Sequence, residues 1–283
     1  MTMYVDRVIT DTFYVEVNNV KLRVFDSSQR RKYDTGTTLF FLHGSPGQIS
    51  NWKYLLDYFK EYYRTIAYDL RGYGMSSKPR EVSLEDYLRD QEALMEKLGV
   101  RDEDAVLIGH SFGGLIAQEY AARRRVRAVI LIGSLVKLKP DMIDWIVWNL
   151  PSIFWRKLFF TENAFTRKLY RKMFFSIETP DKVYEEFMRD NKEYMETLPT
   201  HVFRYLKYFK DYDASKTVTK IKSPTLIIVG EEDQVTPIEQ SKILNRLIKN
   251  SVLKVIPKAG HLVLYEKPKM LAEEIHKFIK NLY

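Results

Sequence analysis

The sequence predicts an α/β protein whose mostly parallel central sheet is interrupted by an inserted helical unit. Short apolar runs alternate with segments of helical spacing in both terminal parts of the chain, whereas no strand-like run occurs between Val136 and Tyr212. The stretch Val106–Ala117 passes from an apolar run into a helix through a glycine-flanked turn. We therefore expect a core formed by residues 1–135 and 213–283 and a helical cap formed by residues 136–212.

Length, composition and charge limit the possible classes of protein. The chain has 283 residues, 45% of them hydrophobic, which is enough for one large domain with an insertion. It contains no cysteine, so disulfides, thiolate catalysis and cysteine-bound metal are excluded. The net charge of +8 comes from basic residues scattered among 37 acidic ones, which indicates a solvated surface and no nucleic-acid partner. Without a leader or a long apolar run, we expect a cytoplasmic monomer or homodimer with no stable membrane insertion.

The N-terminal segment predicts a β-hairpin. Phe13–Val17 and Val20–Phe25 alternate apolar and polar residues, and Asn18 and Asn19 between them favour a two-residue turn.

Strands and helices are expected to alternate after the hairpin. The apolar runs that indicate strands are Thr38–Leu42, Thr65–Tyr68, Ala105–Ile108, Ala128–Ile132, Thr225–Val229 and Val252–Ile256. Five helices are expected between and after these runs. The first follows a possible cap at Ser50, and the second spans Leu84–Leu98, with a capping pattern at Ser83–Asp86 and Gly99 at its end. The third spans Phe112–Ala122, and the last two begin at Pro237 and Pro268.

The cap is expected to consist of helices separated by Pro140, Pro151, Pro180 and Pro199. It is rich in aromatic residues, such as Trp145, Trp148, Phe154, Trp155, Phe159, Phe160, Phe165, Tyr170, Phe174 and Phe175. We expect most of them to pack the cap onto the core and some to line a pocket. The basic residues between Arg156 and Lys172 are typical of a solvated helix face.

The turn Gly109–Gly113 has the pattern of a nucleophile elbow. A serine at the apex of such a turn adopts a strained backbone, with positive φ, that requires residues without a Cβ two positions away on each side. Gly109 and Gly113 meet that requirement, so we expect Ser111 to be a nucleophile at the N-terminus of a helix. The alternative is a serine in an ordinary glycine turn.

A serine nucleophile requires a histidine base and an acid that orients it. Of the five histidines, His261 follows the apolar run Val252–Ile256, at the carboxyl edge of the sheet where α/β sites form. Asp233 follows Thr225–Val229 and is our expected acid. Glu231 and Glu232 remain neighbouring alternatives, and each could be a solvated loop carboxylate.

Two backbone amides are expected to form the oxyanion hole. Phe112 follows the nucleophile. Ser45 lies after Thr38–Leu42 in a strained turn flanked by Gly44 and Gly47, where Pro46 favours an extended Ser45 that can present its N–H. A plain Pro-Gly turn is the alternative for this loop. His43 is expected to be a structural hydrogen-bonding residue there.

Together these residues resemble the α/β-hydrolase superfamily, and in particular its capped serine esterase-like members. The motifs that carry the resemblance are His43–Gly47, Asp69–Ser76, Gly109–Gly113, Gly230–Asp233 and Gly260–His261. The resemblance implies an α/β-hydrolase fold, a cap that forms a lid over the site, a structural role for Asp69 and Arg71, and no metal or organic cofactor.

Relatives of this kind suggest a serine carboxylesterase acting on small esters of short to medium acyl chains. Epoxide hydrolases and haloalkane dehalogenases have similar loops but place an aspartate at the elbow apex, which Ser111 argues against. A proline iminopeptidase-like enzyme, a carbon-carbon bond hydrolase and a non-enzymatic small-molecule receptor remain alternatives.

Overall fold

The computed structural model describes residues 11–30, 36–138 and 163–282. In these ranges eight strands form one sheet in the order β1-β2-β4-β3-β5-β6-β7-β8. The strands are β1 Thr12–Val17, β2 Val20–Asp26, β3 Thr38–Leu42, β4 Arg64–Tyr68, β5 Ala105–His110, β6 Ala128–Ile132, β7 Thr225–Gly230 and β8 Ser251–Ile256. The β1, β2 and β4 pairings are antiparallel, and all pairings from β4 to β8 are parallel, as expected for a mostly parallel sheet.

The predicted hairpin is confirmed. Val17 pairs with Val20, and the two turn residues Asn18 and Asn19 have φ values of 45° and 62°. Two consecutive positive φ angles are typical of the type I′ turn that suits the right-handed twist of paired strands, and asparagine tolerates that conformation.

The described helices pack on both faces of the sheet. They are α1 Lys53–Phe59, α2 Leu84–Lys97, α3 Phe112–Arg123, α4 Ala164–Phe174, α5 Asp181–Thr197, α6 Ile238–Leu247, α7 Val263–Glu266 and α8 Pro268–Lys280. The Ser83–Asp86 capping box at the start of α2 is present, and Pro268 occupies the first turn of α8 as predicted. Short 3₁₀ helices lie at Ser27–Arg30, Ile49–Trp52, Asp102–Asp104, Val202–Phe209 and Val218–Lys220.

The predicted helix cap at Ser50 is wrong. Ser50 lies inside the 3₁₀ turn Ile49–Trp52, and its buried hydroxyl has no hydrogen-bond partner among the described residues. The turn is closed by Asn51, whose Oδ1 accepts a hydrogen bond of 2.9 Å from the Gln48 N–H. The prediction failed because a capping serine at the start of α1 cannot be distinguished in sequence from a serine within a preceding tight turn.

The central strands supply the core. Every residue of β3, β5, β6 and β7 is buried. Two apolar clusters, one on each face of the sheet, cover these strands with helix side chains. Burial on both faces explains why these strands are continuous apolar runs and not alternating ones.

Residues 163–212 of the predicted cap are mostly helical. Its two connections to the sheet meet at a bridge between Lys137 and Asp213, where the Leu138 N–H donates to the Tyr212 carbonyl. The division into a core and a cap of residues 136–212 stays a prediction. The predicted cap features at Pro140, Trp145, Trp148, Pro151, Phe154, Trp155, Arg156, Lys157, Phe159 and Phe160 lie outside the described residues.

In residues 11–30, 36–138 and 163–282, no helix has both the length and the apolar character needed to cross a membrane.

Candidate active site

Ser111 lies at a sharp corner between β5 and α3. Its φ of 51° confirms the predicted positive angle, and its N–H donates a 2.9 Å hydrogen bond to the Ile132 carbonyl at the end of β6. A Cβ on Gly113 would lie 2.0 Å from the Leu42 carbonyl oxygen, and one on Gly109 would lie 2.4 Å from the Gly113 oxygen. Neither position accepts a side chain, so the two glycines allow the strained corner to form.

Asp233 and His261 form a buried pair above the sheet edge. His261 Nδ1 lies 2.9 Å from Asp233 Oδ2, and the two side chains are 5% and 1% exposed. Thr236 donates to the same carboxylate through its hydroxyl at 2.7 Å and through its N–H at 2.8 Å. Burial opposes ionisation of Asp233, but the imidazole and the Thr236 hydrogen bonds outweigh it, and the Asp233 pKa is lowered. With Nδ1–H donated to the carboxylate, Nε2 is left as a proton acceptor.

The two alternative acids have other partners. Glu231 accepts a hydrogen bond from the Lys258 N–H, and Glu232 accepts one from the Ile177 N–H. Neither contacts His261 in the described part of the chain.

Ser111 and His261 meet as walls of one cavity of about 70 Å³. Ser111 Oγ makes no hydrogen bond with any described residue. The polar and glycine residues that line the cavity are Gly44, Ser45, Asn51, His110, Ser111 and His261. Its apolar walls come from Pro46, Tyr170, Phe174, Phe187, Met195, Val235, Leu262 and Leu264.

The loop after β3 faces Ser111 across this cavity. His43 is buried, with its Nδ1 2.7 Å from the Gly44 oxygen and its Nε2 accepting from the Leu70 N–H at 2.9 Å, so its predicted structural role is confirmed. Burial lowers the His43 pKa to about 4, which keeps the ring neutral. The Ser45 side chain is turned to the Tyr73 hydroxyl at 2.8 Å. In the described ranges, neither the Ser45 N–H nor the Phe112 N–H donates a hydrogen bond to the backbone, so both remain available.

His110 connects the elbow to the loop that carries His261. Its Nε2 lies 2.9 Å from the His261 carbonyl oxygen, and only a protonated Nε2 can make that bond. Burial and the neighbouring His261 lower the His110 pKa to about 3, so the ring is neutral and its Nδ1 carries a lone pair. The sequence did not indicate His110 as the base, because it lies within the elbow.

Glu266 binds the His261 loop to the segment between α4 and α5. Its carboxylate accepts hydrogen bonds from the Gly260 N–H at 2.8 Å and the Ser176 N–H at 2.7 Å, and from the Thr179 hydroxyl. The next residue after His261, Leu262, donates its N–H to the Phe174 carbonyl at 2.9 Å. The end of α4 is therefore fixed directly to the segment that carries the imidazole.

A second connection, which we name the Lys53 cluster, joins α1 to α5. It comprises Lys53, Tyr54, Glu186, Asp190 and Tyr265. Lys53 is 3% exposed, and its Nζ lies 2.6 Å from both Glu186 Oε1 and Asp190 Oδ2. The Tyr54 hydroxyl donates to Glu186, and the Tyr265 hydroxyl donates to Asp190 at 3.0 Å.

The Lys53 cluster adjoins the cavity through an asparagine pair. Asn51, which lines the cavity, donates to Asn191 Oδ1 at 3.0 Å, and Asn191 lies next to Asp190 in α5. None of these partners was predicted, because a lysine and two carboxylates 133 to 137 residues apart give no local sequence signal. For Thr236 a signal existed, since a threonine three residues after an aspartate can bond back to it.

Among residues 11–30, 36–138 and 163–282, no three histidine, aspartate or glutamate side chains converge as a metal site.

A family model of the alpha/beta hydrolase fold matches residues 37–268. The chain therefore belongs to the α/β-hydrolase family, and the predicted fold class is confirmed. It is a hydrolase of the α/β fold.

Relatives named for different activities have similar sequence identities to this chain. Epoxide hydrolase 1 of Caenorhabditis elegans is 24% identical over 306 residues, covering 96% of this chain and 70% of that protein. Proline iminopeptidase PfmaB of Pestalotiopsis fici is 25% identical over 236 residues, covering 77% and 82%. The solved structure of a thermophilic esterase from Thermogutta terrifontis matches with a TM-score of 0.80 at 22% identity, covering 96% of this chain and 99% of that one. This last likeness shows the fold alone.

Proposed function

We propose that this protein is a serine hydrolase that cleaves carboxylic esters of short acyl chains through an acyl-enzyme intermediate. The observation that carries the proposal is the buried Asp233–His261 pair at 2.9 Å, whose imidazole lines the same small cavity as a serine at φ 51°. The proposal assigns Ser111 as nucleophile, His261 as base and Asp233 as the acid that orients it.

In the proposed reaction, His261 Nε2 takes the hydroxyl proton as Ser111 Oγ attacks the ester carbonyl. The Phe112 and Ser45 N–H groups stabilise the developing oxyanion, and Asp233 stabilises the imidazolium. The alcohol leaves with the proton from His261, and water repeats the sequence on the acyl-enzyme. Hydrogen bonds between nucleophile and base are often absent before substrate binds, so the unbonded Ser111 hydroxyl is compatible with this role.

The cavity lining favours an ester over an aminopeptidase substrate. A free α-ammonium group is bound by carboxylates or by convergent acceptors. None of the described residues that line this cavity is an aspartate or a glutamate. A neutral ester with a short acyl group suits these walls better. Epoxide hydrolases that resemble this chain place an aspartate at the elbow apex. The serine at this position, Ser111, therefore argues against epoxide hydrolysis by an aspartate nucleophile.

The cavity volume favours the shorter acyl chains within the short to medium range that the sequence predicts. At about 70 Å³, it is roughly half of the ~150 Å³ apolar cavity that accommodates benzene. Acyl groups of about two to four carbons are expected to fit, and each methylene that fits adds about 0.8 kcal/mol of binding.

The test is a kcat/KM series over p-nitrophenyl esters with acyl chains from acetate to hexadecanoate, beside a proline-amide substrate. We expect a maximum at about four carbons or below and a steep fall by about eight. A steady rise to the longest chain would contradict the small-pocket argument. Turnover of the amide with no ester turnover would favour the peptidase, and turnover of neither would favour a binding protein.

A further inference from the structure

Two polar atoms in the cavity wall have no adequate partner. The first belongs to Tyr170 of α4, which is 7% exposed and packs against the rings of Phe174 and Phe187. Its hydroxyl has one hydrogen-bond contact among the described residues, the Met195 sulfur at 3.9 Å. A thioether sulfur is a weak acceptor, so this donor is almost unused. Burial raises the Tyr170 pKa, and the hydroxyl keeps its proton.

The second polar atom is Nδ1 of His110. Because Nε2 donates to the His261 carbonyl, Nδ1 is an acceptor, and it makes no hydrogen bond in the described part of the chain. A Cβ placed on Gly44 would lie 3.1 Å from this nitrogen and 3.2 Å from Ser111 Cβ. The acceptor therefore lies beside the nucleophile and the proposed oxyanion loop.

Buried polar atoms without partners are unfavourable, and binding sites commonly leave them for a ligand group to complete. Here an unused acceptor and an almost unused donor border the cavity, whereas the Ser45 and Asn51 side chains that also line it already have hydrogen-bond partners. An ammonium group could only donate, and a carboxylate could only accept. A hydroxyl is a neutral group that does both through a single oxygen atom.

We propose that the site is selective for esters of short hydroxy acids, with the acyl hydroxyl donating to His110 Nδ1 and accepting from the Tyr170 hydroxyl. This inference rests on the proposed esterase function and specifies its substrate class. In this arrangement Tyr170 is a specificity-determining residue supplied by the cap. His110 has two functions, since it also holds the His261 carbonyl.

The experiment compares matched esters with the same alcohol: 2-hydroxypropanoyl against 2-methylpropanoyl, and 3-hydroxybutanoyl against 3-methylbutanoyl. Each pair exchanges a hydroxyl for a methyl of similar size. Each kcat/KM is divided by the alkaline hydrolysis rate of the same ester, which removes the inductive effect of the hydroxyl. We expect the normalised kcat/KM of the hydroxy ester to be about tenfold or more higher in at least one pair. The reason is that a substrate without the hydroxyl leaves both His110 Nδ1 and the Tyr170 hydroxyl unpaired.

Tyr170→Phe is the diagnostic variant, because it removes the donor and little volume. We expect it to reduce the hydroxy-to-methyl ratio by about tenfold. Tyr208→Phe is the matched control, since Tyr208 is 53% exposed, and its ratio should equal that of the wild type. Equal normalised rates in both ester pairs, or a ratio unchanged in Tyr170→Phe, would overturn the inference while leaving the esterase proposal intact. If none of the four esters is hydrolysed, both this inference and the esterase proposal are overturned.

Discussion

Replacing Lys53 by methionine tests whether the Lys53 cluster holds α5 against α1. The substitution keeps the apolar stem but removes the cation that lies 2.6 Å from both Glu186 and Asp190. The two carboxylates, 23% and 13% exposed, then face each other across one turn of α5, and only the weaker attraction of Arg189 for Glu186 remains. Breaking a buried pair by removing one partner costs about 3–5 kcal/mol. The partial exposure of both acids favours the lower end of this range.

We expect Lys53→Met to lower the free energy of unfolding by about 3 kcal/mol. At about 2–4 °C per kcal/mol for a chain of this size class, Tm should fall by about 6–12 °C. Urea denaturation and thermal melts followed by circular dichroism measure both quantities. Lys242→Met is the control, because the two side chains of the Lys242–Glu239 pair are 55% and 68% exposed and such pairs contribute about 0–1 kcal/mol. Equal losses in the two variants would refute the reasoning.

The pH dependence gives a second check on the same cluster. Burial opposes ionisation of Glu186, but the bonds from Lys53 and Tyr54 outweigh it and lower the Glu186 pKa below its usual 4.5. A carboxyl with a lowered folded-state pKa contributes stability above its unfolded pKa and loses it as the pH falls through the folded value. The stability gap between wild type and Lys53→Met should therefore narrow below about pH 4.5. A gap that stays constant between neutral pH and pH 3.5 would contradict this assignment.

Three further substitutions test the elbow, the acid and the oxyanion loop. Asp233→Asn should reduce kcat by about 10⁴-fold at neutral pH while Glu232→Gln has a mild effect; the reverse pattern would show that the acid is misassigned. Gly113→Ala should prevent stable folding, because its Cβ would lie 2.0 Å from the Leu42 oxygen, and a melting temperature near that of the wild type would contradict the steric argument. Ser45→Ala should keep kcat within about tenfold, whereas a loss of about a hundredfold or more would mean that its hydroxyl takes part in the reaction and not only its N–H.

The sequence was sufficient for the sheet and the elbow because both depend on local patterns. Continuous apolar runs marked the buried strands, and Gly109 and Gly113 marked a corner that only residues without a Cβ can form. The Asp233–His261 pairing could also be anticipated, because both residues follow strands whose carboxyl ends meet at one edge of the sheet.

Contacts between distant segments could not be anticipated in the same way. The Lys53 cluster and the Glu266 bonds depend on how α5 and the segment after α4 pack on the sheet domain, and the His110 bond joins residues 151 positions apart. Charged and amide side chains on the polar face of an amphipathic helix give the same sequence pattern whether that face contacts solvent or another helix. The failed Ser50 cap has a related cause, since the difference between a 3₁₀ turn and a helix start is decided by burial around Trp52.

The most direct test of the central claim is to label the protein with a fluorophosphonate and locate the adduct by mass spectrometry. We expect one adduct, on Ser111, with no labelling in Ser111→Ala and much slower labelling in His261→Ala. Ester turnover in Ser111→Ala should fall by several orders of magnitude, because only binding and the oxyanion hole remain. An adduct on another residue, or a Ser111→Ala enzyme within about tenfold of wild-type turnover, would contradict the assignment of Ser111 as the nucleophile.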